Sequence, residues 1–435
     1  MVRLAMLLVG ADAFRRRWWL LWLAGVLWIG LGAWLAIDAS DGVLFYAVEL
    51  LGLVLVLQGL GALFAAGRKP PSVRPLLYLR ATALVVLGLL VAMPLRVDHG
   101  IPDRLLFGSA FLIDGAIRTA SAWVVRFRHW HVALAAGVAE MLVAIAVATN
   151  WPLHHHYTVP MAFGMILAVS GWSAILLALQ IRRLPPGTSI TSLPLFSARS
   201  WYRATAAPVV LHTRPETHAE PMILHVWTPV GSADHPQRRL LVDRYIAAVD
   251  AKGVISTGHS SLERLPDLYI SHYPAVEIDH SPDDFTHLLR AGPENDVPGR
   301  WQPGYAFEVS QWCEADQHVR FHYYNAGALE QFWANYRVDA TYNLTSRSCS
   351  TVTALAIESA LEGTRTSRWP LLTFLRLLCD PNVWTAALLR RRGATMAWTP
   401  GLVLDYARLL RVIVGHRHRT GAESGAAPAA GAETA

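Results

Sequence analysis

Hydrophobic residues follow two different patterns along this chain. From residue 18 to about 182 they run almost unbroken, while from 184 onward polar residues interrupt them at strand and helix periods. Six segments of the first part, 18–37, 43–66, 75–94, 102–124, 131–149 and 158–182, reach the ~20 apolar residues that a bilayer crossing needs. Small residues in them recur at one interval. Gly59, Gly115 and Gly171 are 56 residues apart, as are Gly32, Gly88 and Ala144. The pattern predicts a two-helix hairpin repeated three times, with small residues where backbones approach.

The second part predicts an α+β domain. Strand-like runs occupy 222–231, 244–250, 254–265 and 268–274, the last two joined by "PD" as a hairpin. "YAFEVS" reads as a further strand-like run and "NAGALEQFWANYRVDA" as a helix. "YNLTSRSCSTVTALAIESALEG" reads as a loop opening a helix, with Ser348 at the N-cap and Gly363 near the stop. Amphipathic helices such as "PGLVLDYARLLRVIVG" follow. The expected division is a membrane domain over 1–183, a Pro/Ser/Thr-rich linker over 184–220, the α+β domain over 221–415 and a disordered tail over 416–435. "VRLAMLLVGADA" at the start reads as a lead-in to the first span, not a cleaved signal peptide.

Composition agrees with this picture. Hydrophobic residues make up 53% of the 435 and charged residues 16%, against roughly 25% charged in soluble proteins. The net charge of +6 comes mostly from arginines beside the spans. It therefore reads as a topology signal and not as a nucleic-acid surface. Eleven Lys and Arg flank one side of the expected bundle, from Arg3 to Arg183, while Arg96 and Arg104 stand on the other. The positive-inside rule then puts both termini and the α+β domain in the cytoplasm. Three cysteines at long spacings suggest free thiols in a reducing compartment.

The six spans, the hairpin repeat and glycine-rich helices such as "LLFGSAFLIDGAIRTASAW" resemble the HdeD family of small bacterial membrane proteins. That resemblance implies an inner-membrane location and a part in acid resistance, with no catalytic residues to carry over. Glu49, Arg80, Asp114, Arg118 and Glu140 are ionisable residues within the spans. Asp114 and Arg118, four apart on one helix, are expected to pair, the alternative being a proton path. "HHH" at 154–156 is expected to be a solvated loop.

The reactive candidates lie in the α+β domain. Cys349 stands at a helix start, where the dipole and free N–H groups favour thiolate. A thiolate nucleophile needs a base, and His259, in "STGHSSLER", is the candidate. Cys313 and Cys379 are expected to be buried small hydrophobes. His225, His235 and His280 are expected at the surface or in turns. There is no HExxH, Walker loop or CxxC pair, and no metal or other cofactor is expected.

"GHSSLE" followed by "YNLTSRSCST" resembles the permuted papain-like fold of NlpC-type amidases and their relatives. The resemblance covers about 222–365 and implies Cys349 as nucleophile and His259 as base. Ser348 stands where many relatives have Asn. If the 265–268 turn has two central residues, Leu262 pairs with Ser271, and His259, Ser261, Glu263 and His272 share a face. His272 or Glu263 would then orient His259, with His272 preferred. Asn343 is expected to be a turn residue, with an oxyanion role as the alternative. The combined expectation is a membrane-anchored cytoplasmic cysteine hydrolase acting on a peptide, isopeptide or lipid amide. The alternative is a non-enzymatic stress protein with a degenerate papain-like binding module.

Overall fold

A computed structural model describes residues 1–40, 101–193, 196, 209–211, 213–228, 248–249, 255–256, 258–276 and 285–422, with scattered positions between 53 and 89. Two compact units emerge. Residues 1–19, 120–132 and 177–435 form one, and 20–119 with 133–176 the other. The spans expected at 43–66 and 75–94 lie largely outside the described residues, as do Glu49, Arg80, His235 and His280.

Helices α3 (Trp18–Ser40), α4 (Ile101–Val125), α5 (Trp130–Thr149) and α6 (His155–Arg183) belong wholly or mainly to the apolar region. Among the described residues, three helical stretches are long and apolar enough to cross a membrane: Trp18–Ile37, Trp130–Thr149 and Tyr157–Arg183. The chain is thus consistent with a membrane protein. Helix α4 is as long but carries Asp103, Arg104, Asp114 and Arg118. Arg118 lies 3.0 Å from Asp114 and 3.0 Å from Glu140 of α5, so one guanidinium bridges two carboxylates.

The glycines show why the interval of 56 matters. A Cβ added to Gly171 would lie 2.5 Å from the Gly25 carbonyl oxygen, and one on Gly115 would lie 2.8 Å from that of Gly137. A Cβ on Gly59 would meet Val85 and the Ala81 carbonyl. Both partners keep the interval: 59, 115, 171 on one side and 25, 81, 137 on the other. Close backbone approach of this kind needs small residues.

The other unit begins with α1 (Val2–Val9), followed by α2 (Ala11–Arg15). Residues Leu4 to Val9 are at most 1% exposed. The carbonyls of Leu7 and Leu8 accept the N–H groups of Gly363 (3.0 Å) and Arg365 (2.7 Å), and that of Val9 accepts the Thr366 hydroxyl (2.5 Å). These bonds satisfy the orphan carbonyls of a helix end. The lead-in is therefore a core element of this unit.

The strands are β1 (Glu216–Trp227), β2 (Ala248–Val249), β3 (Ile255–Ser256), β4 (His259–Arg264), β5 (Leu268–Ile270), β6 (His272–Pro274), β7 (Gly299–Trp301) and β8 (Gln317–Tyr324). The main sheet is antiparallel, in the order β5-β4-β1-β8, and β2–β3 and β6–β7 form separate pairs. The remaining helices are α7 (Phe285–Leu288), α8 (Tyr305–Gln311), α9 (Ala326–Tyr336), α10 (Cys349–Leu361), α11 (Pro370–Leu378), α12 (Pro381–Thr395) and α13 (Pro400–Ala422). Met222, Leu224 and Val226 alternate on β1 and are fully buried beside Leu262, Val319 and Phe321. Helices α10 and α13 cover this face. Each such side chain contributes about 2 kcal/mol by leaving water.

Several expectations are corrected. The run 268–274 is not one strand: it breaks at Ser271, and β6 leaves the main sheet to pair with β7. The hairpin turn holds three residues, Leu265 to Asp267, so Leu262 pairs with Ile270 and not with Ser271. A shift of one residue exchanges the faces of the partner strand. "YAFEVS" is helical, as α8. Cys313 and Cys379 are exposed, and His225 is buried. The expected tail begins inside α13, which runs to Ala422; residues 423–435 lie outside the described residues.

One carboxylate gathers several segments. Glu362, 1% exposed, follows α10. Its Oε1 accepts the N–H groups of Ile190 (2.8 Å) and Ala11 (3.4 Å), and its Oε2 accepts the Ser189 hydroxyl. Burial raises its pKa from 4.5 to about 7, against the pull of these donors. Between those two values the folded chain holds a proton that the unfolded chain has released. Stability therefore falls as pH rises through this window, by about 3 kcal/mol in all. Glu362→Gln is expected to remove that slope and to unfold at a higher temperature than the parent above pH 7. An unchanged slope in thermal unfolding would contradict the assignment.

Candidate functional site

Two element starts converge at the site. Gly258 takes φ +68°, which glycine adopts without strain, and His259 then opens β4 opposite Trp227 at the end of β1. Cys349 opens α10. Ser348 caps that helix, its hydroxyl accepting the Thr351 N–H at 3.4 Å, as the residue pattern predicts. The preceding loop is pinned from within. Arg347 donates to the carbonyls of Tyr336 (2.8 Å), Thr341 (3.0 Å) and Asp339, and its guanidinium stacks 4.0 Å from the Tyr336 ring.

The structure brings Cys349 and His259 together. Cys349 is 7% exposed and His259 2%. The His259 Nε2 lies 2.8 Å from the Ser271 hydroxyl and 3.3 Å from Glu308 Oε1, which leaves Nδ1 for the sulfur. Burial alone would raise the thiol's pKa. The charge and hydrogen bond of His259, the Ser260 N–H and the Ser350 hydroxyl instead bring it below its ordinary value. Burial alone would lower the pKa of His259. Cys349 and Glu308 outweigh that and raise it to about 9. A thiolate–imidazolium pair is the favoured state, and the two groups titrate as a unit.

Glu308 was not singled out in the sequence. It sits on α8, 2% exposed, and accepts the Ser271 hydroxyl (2.5 Å) as well as the Tyr269 hydroxyl. The Tyr269 oxygen also lies 2.8 Å from the Ser261 hydroxyl. Burial would raise the pKa of Glu308, but the hydrogen bonds and charge of His259, with both hydroxyls, lower it. A spacing signal was present. Tyr305, Glu308 and Trp312 stand at i, i+3 and i+7, one helix face, and all three reach this side of the sheet. Tyr305 stacks on His225 at 4.0 Å, and Trp312 lies 5.7 Å from the His259 ring. Trp227 and Tyr273, each 5.4 Å from that ring, complete an aromatic wall.

His272 and Glu263 have other partners. His272 donates Nε2–H to the Ala340 carbonyl (3.1 Å) and packs on Trp301, with ring centres 4.0 Å apart. Burial lowers its pKa to about 3, so it stays neutral. Glu263 accepts from His225 Nε2 (3.1 Å), whose Nδ1 lies 3.0 Å from that of His318. Burial, then His318, lowers the pKa of His225 to about 4. The three-residue turn explains the exchange: it faces Tyr269 and Ser271 toward His259 and turns His272 away. Asn343 acts as a turn residue. Its Nδ2 donates to Gly292 O (3.2 Å) and Asp296 (3.1 Å), and its Oδ1 accepts from Thr345 and Ser346. The first-turn N–H groups of α10 are then the donors placed for an oxyanion.

Among the described residues no cluster of three or more His, Cys, Asp or Glu is arranged to hold a metal, and the side chains of His155 and His156 lie outside them. No family model, curated protein or solved structure matches the chain.

If Glu308 orients His259 and sustains its charge, Glu308→Gln will lower the imidazole's pKa from about 9 and raise that of the thiol. In a chain with Cys313 and Cys379 changed to Ser, the pH profile of Cys349 alkylation should then move upward. Glu263→Gln should leave it in place. A shift with Glu263→Gln and none with Glu308→Gln would reverse the assignment.

Proposed function

We propose that the α+β unit is a cysteine hydrolase carried by a multi-pass membrane region. The observation that supports it best is the electrostatic coupling of Cys349 to His259, which is itself 3.3 Å from Glu308. The Cys349 thiolate attacks a carbonyl carbon, and the carbonyl electron pair moves onto oxygen beside the α10 N–H groups. Collapse of this intermediate breaks the bond to the leaving group, which takes its proton from His259. His259, now neutral, removes a proton from water, which displaces the thiolate from the acyl group. With an acceptor in place of water, the same steps transfer the acyl group. Peptide, isopeptide and lipid amides all suit this chemistry.

The proposed setting is a bacterial inner membrane crossed six times, with both termini cytoplasmic. Two observations support it: the Lys/Arg bias of one side, and the packing of residues before the first span with those after the last in one unit. An even number of crossings between them satisfies that packing. The resemblance of the membrane region to HdeD proteins supports a role in stress or acid protection. The slight exposure of Cys349 favours the second reading, a binding-only module, and one experiment separates the two.

Full-length protein treated with a chromogenic nitrophenyl acyl ester is expected to show a burst of nitrophenolate and an acyl adduct on Cys349 by mass spectrometry. Cys349→Ala should abolish both. His259→Ala should slow the burst by about 100-fold or more. Absence of an adduct at Cys349 in the parent protein would favour the binding module.

A further inference from the structure

Helix α11 presents apolar side chains to the outside. Leu372 and Leu375 are exposed, and Trp369 at its N-cap is 67% exposed; the three form a stripe at i, i+3 and i+6. Trp384 of α12 is exposed too, and its Nε1–H donates to the Leu378 carbonyl (2.6 Å), so the surface continues onto the next helix. Arg368 and Arg376 flank the stripe, and Arg391 and Arg392 are exposed on α12. Asp380 is the sole acid between 368 and 395, and its side chain caps α12 by accepting the Asn382 N–H (2.8 Å).

The position of this surface along the chain decides what can cover it. The inner side of α11 packs on the segment that leads into the first span. Phe374 meets Phe14 edge-on, with ring centres 5.1 Å apart. Trp18, where that span begins, follows four residues later. Four residues reach at most ~14 Å even when fully extended. Arg182, at the end of α6, stacks 4.6 Å from the Trp18 ring, so both ends of the membrane region emerge at this place. Helix α11 is thus packed against the segment that leads directly into the first span.

We propose that α11 and the first turn of α12 lie on the bilayer surface that the chain enters at Trp18. Trp369, Leu372 and Leu375 sit at the boundary between headgroups and acyl chains. Arg368 and Arg376 reach the phosphates of anionic lipids. Tryptophan favours this interface, and a helix with an apolar stripe and a basic rim lies in its plane. Alone, the nine residues of α11 would be a weak anchor, but the spans hold them at high effective concentration. Each arginine then changes the ratio of docked to undocked α11 about fivefold on an anionic surface. This docking holds whether or not the unit is an enzyme.

The test uses the full-length chain with its three cysteines changed to Ser. A single new cysteine at Leu372, Leu375 or Val338 carries an environment-sensitive fluorophore; Val338, 83% exposed, is the control. The protein is placed in phosphatidylcholine bilayers with and without phosphatidylglycerol, using bromine-labelled lipids as quenchers. The expected result is blue-shifted emission and bromolipid quenching at 372 and 375 but not at 338. Phosphatidylglycerol should strengthen the quenching, and Arg368→Gln with Arg376→Gln should weaken it. Water-like, unquenched emission at 372 and 375 would overturn the proposal. So would a blue shift without quenching, which would mean that protein covers the stripe.

Discussion

Cys349 and His259 are both removed from water, and the site's chemistry follows from that shared desolvation. A lone charge on either would be costly there. Proton transfer from sulfur to imidazole creates both charges at once, and each stabilises the other. Glu308 extends the logic by one group. It is buried as well, yet it stays below its ordinary pKa because His259 and two hydroxyls serve its oxygens. Removing His259 would leave Glu308 buried without its cation.

The fold delivers these groups by fixing element ends, not by filling a pocket. Gly258 sets the start of β4, and Ser348 with Arg347 sets the start of α10. The far end of α10 is held as firmly. Glu362 ties it to Ala11, Ser189 and Ile190, and residues 363–366 receive the end of α1. Within the same helix, Glu358 is clamped by Arg390 at 2.7 and 2.9 Å and by the Tyr406 hydroxyl at 2.9 Å. The helix that carries Cys349 is therefore anchored both along its length and at its far end.

What the sequence disclosed was governed by local physics. The N-cap at Ser348, the α10 helix and its stop near Gly363 all rest on short-range rules and were legible. So were the element starts at which Cys349 and His259 stand. The interval of 56 was legible because close helix approach leaves small residues behind. The group that orients His259 was not, for two reasons. The turn after Arg264 holds three residues, with Asp267 accepting from Arg264 at 2.9 Å, and that single extra residue exchanged Ser271 for His272. "YAFEVS" is apolar enough to suggest a strand, yet its functional spacing is helical and includes Trp312 beyond it. The burial of α1 depends on residues about 350 positions away, so no local pattern could announce it.

The central claim is that His259 carries a proton at neutral pH because Cys349 does not. Nitrogen NMR of the full-length protein with labelled histidine reads this directly. The account predicts an imidazolium signal for His259 at neutral pH that titrates near 9, and a fall in that pKa in Cys349→Ser. A neutral imidazole at pH 7 whose titration ignores Cys349→Ser would contradict it.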